Sequence, residues 1–190
     1  MLPPCPHGAA LPAAFELQTG RRSLRYADHA GDFAAASTFG GRWRVTGADG
    51  RGFFSLAPSG PAGSDDRVVL PQDATPVATL LRDRRRLDSW LVLDPDGEIA
   101  FRAVATDAYE VLLTDPDGLP AGRVWATATA VTLDFGTPPA PGLHCTALAL
   151  PLFFATTGAL RIEPRDPTRS WLFAGSPGNV SRPSSLPRAE

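Results

Sequence analysis

The stretch GLHCTALALPLFFATTGAL, from Gly142 to Leu160, constrains the fold of this chain more than any other, because from Leu143 onward it carries no charged residue. No helical register gives it a polar face, so it cannot lie on a protein surface as an amphipathic helix. A membrane span would need about 20 predominantly apolar residues. Here His144, Thr146, Pro151, Thr156, Thr157 and Gly158 each reduce the gain of leaving water, and basic residues flank only the far end, at Arg161 and Arg165. What remains is a helix buried on every side. Pro151 complicates it, since a proline inside a helix removes a donor and crowds the carbonyl four residues back, here Ala147, at a cost of about 3 kcal/mol. Either a kink at Pro151 or a helix ending at Leu150, with LFFATT extended, is expected.

The rest of the chain reads as strands. Its 20 prolines and 18 glycines favour short strands and many turns over long helices. FELQTG and SLRYAD have modest strand character. RWRVTGADGRGFFSLAP reads as two strands around Gly47–Gly50, and RVVLP and TPVATLLRD follow. The clearest hairpin is SWLVLDPDGEIAFRAVA, turning at Asp94-Pro95-Asp96-Gly97, where proline presets φ and glycine accepts a positive φ. A second copy, YEVLLTDPDGLPAGRVWATATAVTLDF, turns at Asp115-Pro116-Asp117-Gly118, with Val124, Ala126, Ala128 and Ala130 read as one alternating run. Two meander units of this kind point to an all-β barrel or sandwich. In a chain of strands, a helix apolar all round fits at the centre of a closed barrel. The expected fold is therefore mostly β, an antiparallel β-barrel wrapped around a single hydrophobic C-terminal helix near residues 140–160. Residues 1–14 read as a lead-in, 15–174 as the domain with a last short strand at Ser170–Ala174, and 175–190 as a disordered tail.

On these residues (WLVLDPDGEIAFRA, DPDGLPAGRVWATA and LHCTALALPLFFATTGAL) the chain resembles the Tubby C-terminal-like superfamily, which includes Tubby, the phospholipid scramblases and the LURP-one-related proteins. The resemblance spans about residues 15–162. It implies a twelve-stranded barrel closed around a central helix. The strands between the second DPDG and the helix are few for that number, which leaves full closure an open question at this point. Tubby-type domains bind phosphoinositides through basic residues on the barrel, so the resemblance also directs attention to basic clusters.

One such cluster stands out, RDRRR. Arg82, Arg84, Arg85 and Arg86 are the lipid-headgroup candidates, since guanidinium groups clamp phosphate by paired hydrogen bonds. The plain alternative is a solvated turn with Asp83 and Asp88 as partial counterions. The carboxylate pairs Asp94/Asp96 and Asp115/Asp117 lack the further oxygen ligands of a calcium loop and read as turn residues. His7, His29 and His144 have no ligand spacing, and His144 reads as a satisfied core or helix-start histidine. Cys145 beside it points about 100° away on a helix and reads as a buried thiol. Two cysteines, Cys5 and Cys145, make no disulfide framework and suggest a reduced, intracellular setting. The tryptophans Trp43, Trp90, Trp125 and Trp171 read as core or rim residues. MLPPCPHGAALPAAF lacks a basic n-region and an unbroken apolar run, so no signal peptide is expected.

With no nucleophile elbow, no phosphate-cradling glycine loop and no HExxH, the sequence predicts no enzyme and no cofactor. A net charge of -2 draws the chain to no nucleic acid. The expectation is a non-enzymatic binding or membrane-peripheral protein, cytoplasmic, contacting an anionic phospholipid or phosphoinositide headgroup; a protein partner stays unspecified. Two alternatives are a small-molecule-binding barrel or enzyme with a pocket at the barrel mouth, and a single-pass membrane protein.

Overall fold

The computed structural model describes residues 11–19, 24–61, 63–71 and 75–161. The expected tail, the strand at Ser170–Ala174, Trp171, Cys5, His7 and most of the lead-in lie outside the described residues. Twelve strands follow one another: β1 (Ala14–Thr19), β2 (Leu24–Asp28), β3 (Gly31–Phe39), β4 (Arg42–Gly47), β5 (Gly52–Pro58), β6 (Arg67–Pro71), β7 (Ala78–Arg82), β8 (Ser89–Leu93), β9 (Ile99–Ala105), β10 (Glu110–Thr114), β11 (Pro120–Ala126) and β12 (Ala130–Asp134). A 3-10 turn (Pro141–Leu143) leads into the helix α1 (His144–Thr157).

Every strand pairs antiparallel with its neighbours in sequence, and β1 pairs with β12, from Ala14 opposite Asp134 to Gln18 opposite Ala130. The barrel is closed, as the expected barrel around a helix requires, and the question of its closure is answered. The missing strands came from two places. GDFAAASTF forms β3, which its alanines had concealed, since alanine has little strand preference. The run from Val124 to Asp134 is two strands rather than one. Thr127 turns the chain, its hydroxyl accepting from the backbone N–H of Ala130 at 3.1 Å. Closure leaves none of these twelve strands with an edge open to pair with another chain.

Period-two alternation sorts the side chains. β1 buries Phe15, Leu17 and Thr19 and exposes Ala14, Glu16 and Gln18. α1 presents all twelve residues from His144 to Ala155 to the interior, as only a helix enclosed on every side can. Its 14 residues would span about 21 Å, and no helix among the described residues is long and apolar enough to cross a membrane. Phe154 meets Trp90 of β8 edge-on at 5.4 Å and Phe153 at 5.2 Å. The helix ends at Gly158, whose φ of 70° suits a residue without Cβ.

α1 runs unbroken through Pro151 to Thr157, so the alternative of a helix ending at Leu150 is wrong. Burial on all sides outweighs the local cost of the proline. The barrel wall also supplies a donor at that turn: the Tyr26 hydroxyl of β2 donates to the Leu148 carbonyl at 2.7 Å. Burial raises the Tyr26 pKa well above its usual value, which keeps the phenol protonated and able to donate. Tyr26→Phe removes this second hydrogen bond from a carbonyl that also accepts within the helix, and is expected to cost about 1 kcal/mol. Tyrosine in the unfolded chain ionises near pH 10 while folded Tyr26 does not. The wild type therefore loses stability as pH rises through that value, and the variant lacks this component. Denaturant titrations at neutral and alkaline pH read both effects.

The glycine of PAGRVWA has a packing reason. A Cβ on Gly122 would stand 2.7 Å from the backbone oxygen of Asp134 and 3.0 Å from the Phe135 ring, where β11 crosses the end of β12. Backbone cannot swing aside as a side chain can, so Gly122→Ala is expected to cost about 1–3 kcal/mol, measured by the same titration. A neutral result would mean that β11 and β12 are further apart than described.

Candidate functional site

Successive connections in an up-and-down barrel alternate between its two ends. The β1–β2, β3–β4, β5–β6, β7–β8, β9–β10 and β11–β12 connections share one end. The backbone N–H of Arg161 donates to the carbonyl of Ala108, in the β9–β10 connection, at 2.7 Å, so the C-terminal end of α1 emerges there too. The basic cluster lies at this end, in the six-residue loop between β7 and β8.

The loop is a fixed turn rather than a loose one. Asp83 holds it: one carboxylate oxygen accepts from the backbone N–H of Arg85 at 2.8 Å, the other accepts from the Ser89 hydroxyl at 3.4 Å, and the Asp83 carbonyl accepts from the Arg86 N–H at 3.2 Å. Thus Asp83 acts on the loop's backbone and not as a counterion to the arginines. Asp88 contributes its carbonyl to the N–H of Ala105.

The four candidate arginines divide into two kinds. Arg82 is committed to structure: its Nη2 donates to the Leu87 carbonyl at 2.8 Å, its Nη1 lies 3.8 Å from Asp65, and its backbone N–H donates to Asp66 at 3.1 Å. Arg84, Arg85 and Arg86 are exposed, and their side chains have no hydrogen-bond or ion-pair partner among the described residues. Beside them stands a residue that the sequence reading passed over. Leu87 is 80% exposed, an apolar side chain held into solvent next to three guanidinium groups. Its signal was visible as a leucine directly after a basic run, but in a strand-rich chain any leucine reads first as core.

At the opposite end, a cleft of about 440 Å³ lies at the barrel mouth against the start of α1, lined by residues including Val77, Leu93, Asp96, Leu143 and Thr146. Asp94 also lines it, but one of its carboxylate oxygens already accepts from the N–H groups of Asp96 and Glu98, each at 2.9 Å. Asp115 does the same for Leu119 at 2.8 Å. Gly97 and Gly118 both have φ of 85°, so the two DPDG segments are matching turns. No three His, Cys, Asp or Glu side chains among the described residues converge to hold a metal ion. The mouth cleft thus pairs an apolar lining with the Asp94 and Asp96 carboxylates and Thr146, and one Asp94 oxygen is already engaged by its own turn.

His144 departs from expectation. It is buried at the start of α1, and its Nε2 has no hydrogen-bond partner among the described residues. The enclosing helix position, not a polar partner, decides its burial. Cys145 is buried beside it, and Trp90 is in the core. Trp43 is half-buried, while Trp125 lies under the Arg123 guanidinium, 4.6 Å from the ring centre.

No protein-family model matches the chain, and no curated protein matches it. Among solved structures it is similar to the X-ray structure of a protein from Arabidopsis thaliana, at 14% identity and a TM-score of 0.36, over 74% of this chain and 90% of that one. So loose a superposition assigns no family and no residue role.

Proposed function

We propose that this barrel is a non-enzymatic, membrane-peripheral protein that docks on anionic phospholipid, a phosphoinositide headgroup included, through the β7–β8 loop. The observation that carries the reading is the display of Arg84, Arg85 and Arg86 together with Leu87 on one turn fixed by Asp83. Guanidinium groups without internal partners attract phosphate, each worth about 1 kcal/mol near an anionic surface. An adjacent leucine gains further by entering the apolar layer beneath the headgroups. Arg82 belongs to the scaffold of the loop and is left out of the contact. Residues bound into a stable turn lose little freedom on docking, which favours the bound state.

The test is flotation of the purified chain with phosphatidylcholine vesicles, with and without phosphatidylserine, at low and raised salt. Salt-sensitive flotation with the anionic vesicles alone is the expected result. A chain that never floats with either would sink this reading while leaving the barrel untouched.

A further inference from the structure

A separate feature lies on the outer wall, where β3 to β6 border a groove of about 640 Å³. Alternation along β4 turns Val45 inward and both Arg42 and Arg44 outward, so the two guanidinium groups rise from one face about 7 Å apart along the strand. Cross-strand register then builds a row. Ser37 of β3 stands opposite Arg44, Ser55 of β5 stands opposite it on the other side, and Leu70 of β6 follows Ser55. In the next row Phe39, 92% exposed, stands opposite Arg42. All six side chains line the groove, and no carboxylate does.

Among the described residues the charge at this place is uncompensated. Elsewhere on the wall Arg25 has Asp32 at 3.0 Å and Arg123 has Asp134 at 3.9 Å. Arg42 and Arg44 have no hydrogen-bond or ion-pair partner among the described residues. Two like charges held side by side repel, and an anion lying between them relieves that repulsion.

From this we infer an oxyanion site for a phosphate monoester that carries an apolar body. A monoester dianion has two charges and three terminal oxygens. These match two guanidinium groups and the flanking hydroxyls of Ser37 and Ser55. A lone carboxylate, with one charge and two oxygens, would leave one arginine unanswered. The apolar part of the ligand lies against Phe39, Leu70 and Pro71, and the groove has the volume of ordinary small-ligand sites. β4 and β7 are three strand spacings apart, about 14 Å around the barrel, so this site is distinct from the β7–β8 loop. The monoester has two sources, a soluble ester or a lipid headgroup of the phosphatidic acid kind.

Isothermal titration of the full chain with phenyl phosphate tests the soluble source, and flotation with phosphatidylcholine vesicles containing phosphatidic acid tests the lipid source. Arg44→Gln keeps a polar, hydrogen-bonding side chain and removes its charge. It is expected to weaken binding about tenfold or more at an unchanged melting temperature. The triple variant Arg84→Gln, Arg85→Gln, Arg86→Gln should bind phenyl phosphate like the wild type. Binding of phenyl phosphate that Arg44→Gln removes supports the site with a soluble ligand. Binding of phosphatidic acid vesicles without binding of phenyl phosphate, kept by the triple variant and lost when Arg44→Gln is added to it, supports it with a lipid headgroup. Binding of neither, phenyl phosphate binding unchanged in Arg44→Gln, phosphatidic acid binding by the triple variant unchanged when Arg44→Gln is added, or benzoate binding as tightly as phenyl phosphate overturns the inference. Because phosphatidylserine has no phosphate monoester, loss of its flotation would count against the loop reading and not against this site.

Discussion

Phe154→Ala is expected to destabilise the chain by about 3–5 kcal/mol, the usual cost of emptying a buried aromatic position. The position has no slack. Phe154 is fully enclosed, and its ring meets Trp90 on the wall and Phe153 on the helix edge-on. A closed barrel resists collapsing into the void, because moving one strand inward strains the ladders on both sides of it. The loss is a large share of the roughly 5–15 kcal/mol by which domains of this size are stable. It corresponds to a fall in melting temperature of about 6–20 °C. Helix signal in the far ultraviolet and tryptophan packing in the near ultraviolet should vanish together, since α1 has no other surface to bury itself against. Two separate transitions would mean that the barrel stands without its helix. Leu112→Ala, at a half-exposed outward position of β10, is the control and should change stability by less than about 0.5 kcal/mol.

Neutralising Arg84, Arg85 and Arg86 to glutamine should lower affinity for phosphatidylserine vesicles by about two orders of magnitude, at roughly 1 kcal/mol per arginine near the surface. The residual binding should lose most of its salt dependence, because the screening length shrinks from about 10 Å at 0.1 M to about 3 Å at 1 M and acts on charge alone. Leu87→Ala should show the complementary pattern: weaker binding whose salt dependence is kept. Arg82→Gln should weaken binding only slightly, and only by loosening the loop, since Arg82 ties it to Leu87 and Asp65. Vesicle affinity of the triple variant equal to that of the wild type would remove the β7–β8 loop from the contact.

The expectation for residues 142–160 rested on one argument: no polar face, too many interruptions for a membrane, and a surrounding chain of strands. α1 lies where that argument put it. The paired DPDG turns were equally legible, because proline and glycine act through local backbone geometry. β3 was not, because its inward residues are Ala34 and Ala36, small side chains that carry no hydrophobic pattern of their own. Nor was the break at Thr127–Thr129, where WATATAV continues a strand-like alternation straight through a turn. Of the candidate site, the basic run was visible from composition. That Arg82 would be taken up by Asp65 while its neighbours stayed open depends on a loop 17 residues earlier in the chain. The pattern RWR hints at two arginines on one face of a strand, but only the pairing with β3 and β5 brings Ser37 and Ser55 beside Arg44.

Local periodicity thus determined the class of the fold: strands, tight turns, and a helix that must be enclosed. Apolar patterning and turn geometry act over a few residues and are written directly in the chain. Register decided the rest. β1 meets β12 across more than a hundred residues, and that single pairing closes the barrel around α1 and sends each alternate side chain outward or inward. Which arginines are spent on structure and which face solvent unanswered follows from the register between neighbouring strands, which sets Arg25 beside Asp32 and Arg123 beside Asp134.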